Sequence, residues 1–459
     1  MGHLLLGVSI VIVSLGIYIS VPFCRTKCSF CNFASGVFSR TVFDRYVEQV
    51  TSDIASSGQI AQWLGARLEQ NVDSIYLGGG TPSVLAPDQL KRLFEAVRNN
   101  CDMQRPAEIT VECAPGTLSE EILEALLACG VNRVSLGVQS FVDKECSSVG
   151  RLHTRDTTLS DIAKLRRAGI GNISIDLIAG LPHQTMESWQ YSLRETLATS
   201  VPHVSVYMLE VDEDSRLGNE LLAGGSRYHA HHVPDEDLTA DLYLAACEKL
   251  ERGGLHQYEI SNFACAVTHG IGLRDSRHNL KYWKRQPYFG FGVDAHSMLL
   301  ADDELFQQGV QAVRFATPDS LEAYSSAIQV SPTEGRGLRP VQGRLWGTRQ
   351  LQPGNARIAQ LFASRALIDR HAALEEEFFL GLRMNRGISL SELATRYGAD
   401  QLGQFAGAIA EFIDNGLLAR SADRIHLTSR GRLLSNEVFG RFIHDRRAGA
   451  ATRNAPGLQ

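Results

Sequence analysis

From residue 16 to about residue 210 the chain repeats one unit: a short run of apolar, β-branched residues, then polar or glycine positions, then a stretch with apolar residues at helical spacing. The apolar runs fall at 17–20, 74–77, 109–111, 133–136, 173–175 and 204–207, and the helical stretches at 43–56, 87–99, 119–129, 157–168 and 187–198. End signals agree with this phasing. Pro87 suits a first helical turn, Thr117-x-x-Glu120 reads as a capping box, and Gly130 and Gly169 stand where helices should stop. Six strands alternating with helices predict an α/β fold with a parallel sheet, either doubly wound or a partly closed barrel.

The polar positions are in phase with this pattern. At or just after the ends of successive strands come Cys24, Gly78 to Gly80 with Thr81, Glu112, Gln139, Asp176 and Glu210. In parallel α/β folds the carboxyl ends of the strands converge on one face, and ligands bind there.

Beyond residue 210 the period breaks. Residues 235–252 read as a helix, followed by Tyr258-Glu-Ile-Ser-Asn-Phe263 and His278-Asn-Leu-Lys-Tyr282-Trp283. Residues 333–355, rich in Gly, Pro, Gln and Arg, mark a linker or inserted loop. A last unit shows helices at 376–382, 390–397 and 401–415 and a hairpin of 416–420 with 424–428, turning at Ser421-Ala422-Asp423, which predicts a winged-helix-like α+β domain. Residues 371–445 hold eight Arg against ten Asp and Glu, so packing or partner binding is favoured there over DNA. The expected division is 1–15 as an extension without an assigned role, 16–225 as the barrel, 226–330 as a further extension, 331–368 as an insert, 369–445 as the C-terminal domain and 446–459 as a tail.

Composition adds bounds. The 459 residues are 44% hydrophobic and 21% charged, which suits one large globular domain and a smaller one. A net charge of -6 gives no global reason to wrap nucleic acid or to lie on an anionic membrane. Residues 4–23 carry no charge, but they include Gly7, Ser9, Ser14, Gly16 and Ser20, and no Lys or Arg precedes Arg25. The stretch therefore lacks the basic start of a secretory signal, and residues 16–21 are expected to form a buried strand. Nine cysteines, an odd number in a long chain, point to a reducing compartment, the cytoplasm.

Three of them fall within eight residues as Cys24-x3-Cys28-x2-Cys31, while Cys101, Cys113, Cys129, Cys146, Cys247 and Cys265 are scattered. Zinc would require a fourth ligand, and neither Cys nor His follows nearby. Three thiolates suit an iron–sulfur cluster with one iron open to chelate an amine and a carboxylate, the arrangement that cleaves S-adenosylmethionine. His229, His231 and His232 sit in a polar loop and are read as solvated histidines rather than a metal site.

Cys24-Arg-Thr-Lys-Cys28-Ser-Phe-Cys31 resembles the signature of the radical S-adenosylmethionine superfamily, and Gly78-Gly-Gly-Thr-Pro82 resembles its second motif. Gly137-Val-Gln-Ser-Phe141, Asp176-Leu-Ile-Ala-Gly-Leu-Pro182 and Tyr258-Glu-Ile-Ser-Asn-Phe263 resemble its coproporphyrinogen dehydrogenase-like branch. The resemblance runs from about residue 16 to 442, interrupted near 333–365. It implies a partial (β/α)6 barrel, a 4Fe-4S cluster on Cys24, Cys28 and Cys31, and S-adenosylmethionine bound near Tyr18, Gly79, Gly80, Thr81, Glu112, Gln139, Arg151 and Asp176. Carboxylates and an amide can bind ribose hydroxyls and an ammonium, and Arg can hold a carboxylate with two parallel bonds.

The porphyrinogen-decarboxylating members carry a further Cys two residues after the third, where this chain has Phe33. With His278-Asn-x-x-Tyr282-Trp283 added, the pattern resembles the heme-chaperone group often called HemW. That resemblance implies heme as a cofactor, His278 as a candidate heme contact with Tyr282 and Trp283 able to stack on a porphyrin, and respiratory proteins as recipients. Membrane contact would come only through those recipients, and nucleic acid is not an expected partner. The alternative is an oxygen-independent coproporphyrinogen III dehydrogenase.

Overall fold

The computed structural model describes residues 13–267, 274–326 and 364–443. The tail, nearly all of the insert and most of the N-terminal extension expected from the sequence lie outside them. The described residues form two compact units: one holds those of 13–257, 261–282 and 286–367, and the other holds 258–260, 283–285 and those from Ile368 to residue 443.

All six expected strands are present, as β1 (Leu15–Val21), β3 (Asn71–Gly79), β4 (Asp102–Cys113), β5 (Arg133–Gln139), β6 (Asn172–Ala179) and β7 (His203–Met208). They run parallel in chain order, β1-β3-β4-β5-β6-β7. Between β1 and β3 lies the two-residue β2 (Ala66–Arg67), and after β7 come β8 (Leu255–Gln257), β9 (Asn262–Cys265), β10 (Tyr288–Phe291), β11 (His296–Ala301) and β12 (Val310–Ala316). β10 pairs parallel with the outer side of β1, and β11 and β12 follow antiparallel. At the other end β9 and β8 add antiparallel strands beyond β7, and β2 pairs with β11. The sheet therefore has a parallel (β/α)6 core, extended on both sides, as the resemblance implies.

The register explains how such a sheet carries a site. Tyr18 lies beside Tyr76, Tyr76 beside Thr110, Glu112 beside Ser135, Gly137 beside Asp176 and Asp176 beside Ser205. Paired residues on parallel strands point the same way, so polar side chains from all six strands share one face. The alternate positions, among them Ile17, Ile75, Val111, Leu136, Ile175 and Val204, are fully buried and apolar. Crossover helices of a parallel sheet cover that second face. Their apolar stripes are buried as well, for example Leu90, Leu93, Phe94 and Val97 on Pro87–Asn100.

The helices follow the expected periods, at Thr41–Ala55, Pro87–Asn100, Glu120–Ala128, Arg155–Arg167, Met186–Ala198 and Glu236–Arg252. Gly130 and Gly169 adopt φ of 73° and 89°, the left-handed conformation that stops a helix. The capping box is a correction. Ser119, not Thr117, caps Glu120–Ala128 by accepting the Ile122 N–H, while the Thr117 hydroxyl donates to the Ala114 carbonyl at 2.6 Å.

In the second unit, helices Arg370–Gly381 and Leu390–Tyr397 accompany a small antiparallel sheet in which Arg424–Leu427 lies between Ile388–Ser389 and Leu418–Ser421. The expected helix 401–415 is broken into Ala399–Gly403 and Ala406–Asp414, with Phe405 between them turned into the core. Phe378 stacks on Phe442 at 4.5 Å and meets Phe405 at 4.7 Å. Buried Arg285 pairs with Glu376 at 2.7 Å, and the Arg383 guanidinium lies 4.3 Å from the centre of the Trp283 ring. Trp283 is therefore covered by the fold of this unit. Among the described residues no helix is long and apolar enough to cross a membrane.

Candidate functional site

β1 ends at Val21 and the chain enters the cysteine loop. Two backbone bonds close its base, Cys24 N–H to the Gly36 carbonyl and Gly36 N–H to the Pro22 carbonyl, both 2.9 Å. Phe23 anchors the base below, stacked on Phe43 at 3.9 Å. Farther round, the Ser29 N–H donates to the Val149 carbonyl and the Cys31 N–H to that of Cys28. The loop therefore has a fixed path, with Cys28 buried and Cys24 and Cys31 half-buried.

The glycine turn after β3 lies directly against it. Gly80 N–H donates to the Val21 carbonyl and Thr81 N–H to that of Phe23, each at 2.8 Å, and the Thr81 hydroxyl is 3.6 Å from the Cys24 sulfur. A Cβ on Gly80 would stand 2.9 Å from that sulfur and from two carbonyl oxygens, so only glycine permits this approach. Gly79, at φ 102°, supplies the left-handed step of the turn.

The donor set can be tested against what it would hold. Three thiolates on one zinc ion sit about 3.8 Å apart, given Zn–S bonds of ~2.3 Å in a tetrahedron. Among the described residues, only His183, His229 and His232 form a group of three whose donor atoms all lie within 4.8 Å of one another. The three cysteine thiols of the loop are not among such groups. Burial pushes the Cys24 and Cys28 thiols up, and the Arg151 guanidinium acts in the opposite direction on both. The other six cysteines lie on different elements.

Beside the loop, the polar face presents the remaining expected residues. Glu112 accepts from the Tyr76 hydroxyl at 2.8 Å and from the Gly79 N–H at 3.2 Å. Burial raises its pKa to about 7, with the Asp176 charge adding to the rise. Both Asp176 oxygens lie 3.0 Å from the Ser135 hydroxyl, and burial raises this carboxyl too. Tyr18 reaches toward Gly79, and burial followed by the Glu112 charge keeps its phenol protonated. Gln139, at φ 67°, and the Arg151 guanidinium both crowd Gly137. Arg151 Nε is buried without a hydrogen-bond partner. Its charge acts on Cys24, Cys28, Glu112 and Asp176 alike, so a cation with unused donor capacity serves both the cysteine loop and the two carboxyls. Glu210 is exposed just past β7.

His278 is elsewhere on the same face. Helix Arg277–Trp283 begins where Glu108 of β4 accepts the Arg277 and His278 N–H groups at 3.1 and 3.0 Å. The imidazole is buried, with Nδ1 3.0 Å from the Ser74 hydroxyl and Nε2 2.9 Å from that of Tyr282. Burial lowers its pKa to about 3, and the Lys281 charge contributes. Ser74 precedes Gly79 by five residues on β3, about 16 Å of extended strand. His278 thus stands well down the strands from the cysteine loop, with neither nitrogen free as placed. Phe33 is 48% exposed.

Ser74, Tyr76, Glu108, Ser135 and Ser205 are functional-face residues beyond those expected from the sequence, although the alternation Ser74-Ile-Tyr76-Leu-Gly78 carries the signal of a strand with one polar face. The approach of His183 to His229 and His232 is likewise seen only in the fold.

Comparison with known proteins supplies the family. The family model of the radical SAM superfamily matches residues 18–195, and that of the HemN C-terminal domain matches residues 368–434. The heme chaperone HemW of Lactococcus lactis is 31% identical over 93% of this chain and 97% of its own length. The chain belongs to the HemW family of radical SAM proteins. The HemW protein of Bacillus subtilis is likewise 31% identical, over 93% of this chain and 98% of its own. Among solved structures, the coproporphyrinogen III oxidase HemN of Escherichia coli superimposes with a TM-score of 0.72 over 94% of this chain and 90% of that one. Its sequence identity is 20%, so that likeness concerns the fold alone.

Proposed function

We propose that this HemW-family chain is a cytoplasmic heme chaperone: it holds a 4Fe-4S cluster on Cys24, Cys28 and Cys31, binds S-adenosylmethionine at the strand ends, carries heme and hands it to recipient proteins of respiration. The observation that carries the cofactor part is the three-thiol loop packed against the Gly80 turn, with Arg151 unsatisfied beside it. A cluster bound by three thiolates leaves one iron to chelate the amine and carboxylate of S-adenosylmethionine. The protein's share is positioning. Gly79 and Gly80 admit the ligand's amino-acid end, Arg151 offers a guanidinium to its carboxylate, and Glu112 and Asp176 accept from its ribose hydroxyls.

Membership in the HemW family supports heme carriage, as does Phe33, which offers no thiol where the decarboxylating members carry one. His278 is the candidate heme contact, and ligation would require its Nε2 to part from Tyr282. The HemN-like fold keeps oxidative decarboxylation of coproporphyrinogen III as the second reading. One sample separates the two. The chain is reconstituted anaerobically, titrated with heme by absorbance, and then incubated with S-adenosylmethionine, a reductant and coproporphyrinogen III for chromatography. Stoichiometric heme binding without product supports the chaperone, and efficient decarboxylation overturns it.

A further inference from the structure

The strand-end site makes no use of His183, His229 and His232. His183 lies in the turn after β6, and the other two lie around the short turn Ala230–His232 ahead of helix Glu236–Arg252. Two of the three are half-buried and one is exposed. His183 Nε2 and His229 Nδ1 are 3.4 Å apart, and the His183 and His232 rings are 3.9 Å apart between centres.

The backbone holds them there. His183 and His229 adopt φ of 69° and 60°, a left-handed conformation that is uncommon outside Gly and that His, like Asn and Asp, enters more readily than other side chains when its surroundings hold it. The support is dense. His183 N–H donates to the His232 carbonyl and His232 N–H to that of His229, both at 2.9 Å. Buried Gln184 accepts the Gly180 N–H at 2.6 Å and donates to the Ile178 carbonyl at 3.1 Å, while Glu220 accepts the Tyr228 and Ala230 N–H groups at 2.7 and 3.1 Å. The convergence of the rings is therefore imposed by the two loops, not by the rings' own attraction.

Imidazoles crowded in this way repel when protonated. Their nitrogens are held close enough together for one cation to replace that repulsion.

We propose that His183, His229 and His232 bind a single divalent transition-metal ion of the zinc class, with one coordination position left open. Nitrogens on a tetrahedral zinc stand about 3.3 Å apart, given Zn–N bonds of ~2.05 Å, close to the separation of the His183 and His229 nitrogens. Imidazole donors select zinc, copper or nickel, whereas calcium and magnesium require oxygen ligands, which the trio does not offer. Heme is not the ligand that fits. Its porphyrin occupies the equatorial positions of the iron, so three rings converging from one side cannot all reach the metal.

The test is a calorimetric titration of the full chain with Zn2+ after anaerobic cluster reconstitution, so that the cysteine sulfurs are already engaged. His183→Asn and His229→Asn keep residues that tolerate the left-handed backbone, and His232→Ala removes the exposed ring; unchanged cluster absorption in each variant reports an intact fold. Each should weaken zinc binding about tenfold or more, and the triple variant should lose this equivalent entirely. His231→Ala should stay within about threefold, since His231 is outside the trio. Unchanged zinc stoichiometry and affinity in the triple variant would overturn the site, as would a loss in His231→Ala equal to that of the trio.

Discussion

Glu112→Gln isolates the charge of one carboxyl on the polar face. In the folded chain burial lifts the Glu112 pKa from an ordinary 4.5 to about 7. Between those values the folded state binds more protons than the unfolded state, so stability falls as pH rises through the interval and levels off above it. At 1.36 kcal/mol per pH unit the full effect is about 3 kcal/mol. A glutamine cannot ionise and so escapes this loss, but it carries a second cost. Its amide nitrogen replaces one acceptor: with its oxygen kept on the Gly79 N–H, the nitrogen must donate to the Tyr76 oxygen and the phenol must turn its own proton elsewhere, which costs about 0.5–1.5 kcal/mol. That conflict is largely independent of pH and cancels in a difference of differences. The assay is urea unfolding of both proteins, before cluster loading, at about pH 5 and about pH 8.5. The stability of Glu112→Gln relative to the native chain should improve by up to about 3 kcal/mol at the higher pH. An equal gap at the two pH values would refute the raised carboxyl. In the loaded protein the same variant should bind S-adenosylmethionine more weakly while iron and sulfide content stay normal.

Replacing Cys24, Cys28 or Cys31 by Ala should abolish the cluster, whereas Cys146→Ala should keep it; iron and sulfide analysis with visible absorption decides, and a full cluster in Cys28→Ala contradicts the assignment. Gly80→Ala, whose Cβ would stand 2.9 Å from the Cys24 sulfur, should cost about 1–3 kcal/mol in denaturant unfolding and reduce cluster yield, and a native-like yield would show that the turn can retreat. If His278 contacts the heme iron, His278→Ala should weaken heme binding, and Tyr282→Phe should strengthen it about fivefold by removing a hydrogen bond worth ~1 kcal/mol that ligation must break. Heme titrations unmoved by both changes would leave His278 a structural residue. Phe33→Cys should create at most traces of coproporphyrinogen decarboxylation, because one thiol does not reshape a pocket to hold the substrate at reactive distance; robust product by chromatography would overturn that.

The parallel core was legible because strands buried on both faces combine apolar runs with in-phase polar ends, as in Ile17 to Ser20 and Ser74 to Leu77, and because glycines punctuate the helices. The cysteine loop and glycine turn were legible for a related reason: close backbone approach and thiolate chemistry admit few other residue types. β10 escaped notice because Tyr288–Phe291 is four residues long and its partner β1 lies some 270 positions earlier in the chain. The break after Gly403 was hidden because Phe405 keeps the apolar spacing while serving as a core plug. His183 was unreadable as a partner of His229 because only the folded turn after β6 brings together residues 46 positions apart. The burial of His278 was equally hidden, since a motif gives its chemistry but not the Ser74 and Tyr282 hydroxyls that occupy it.

The most direct test of the chaperone assignment is heme transfer. The anaerobically reconstituted chain is loaded with heme, freed of excess by gel filtration, mixed with an apo-cytochrome and followed by absorbance. Heme should leave this chain for the recipient faster than it escapes to a heme scavenger alone, and the cluster should stay intact. Heme that is not retained through gel filtration, or that reaches the recipient no faster than the scavenger, would contradict the assignment.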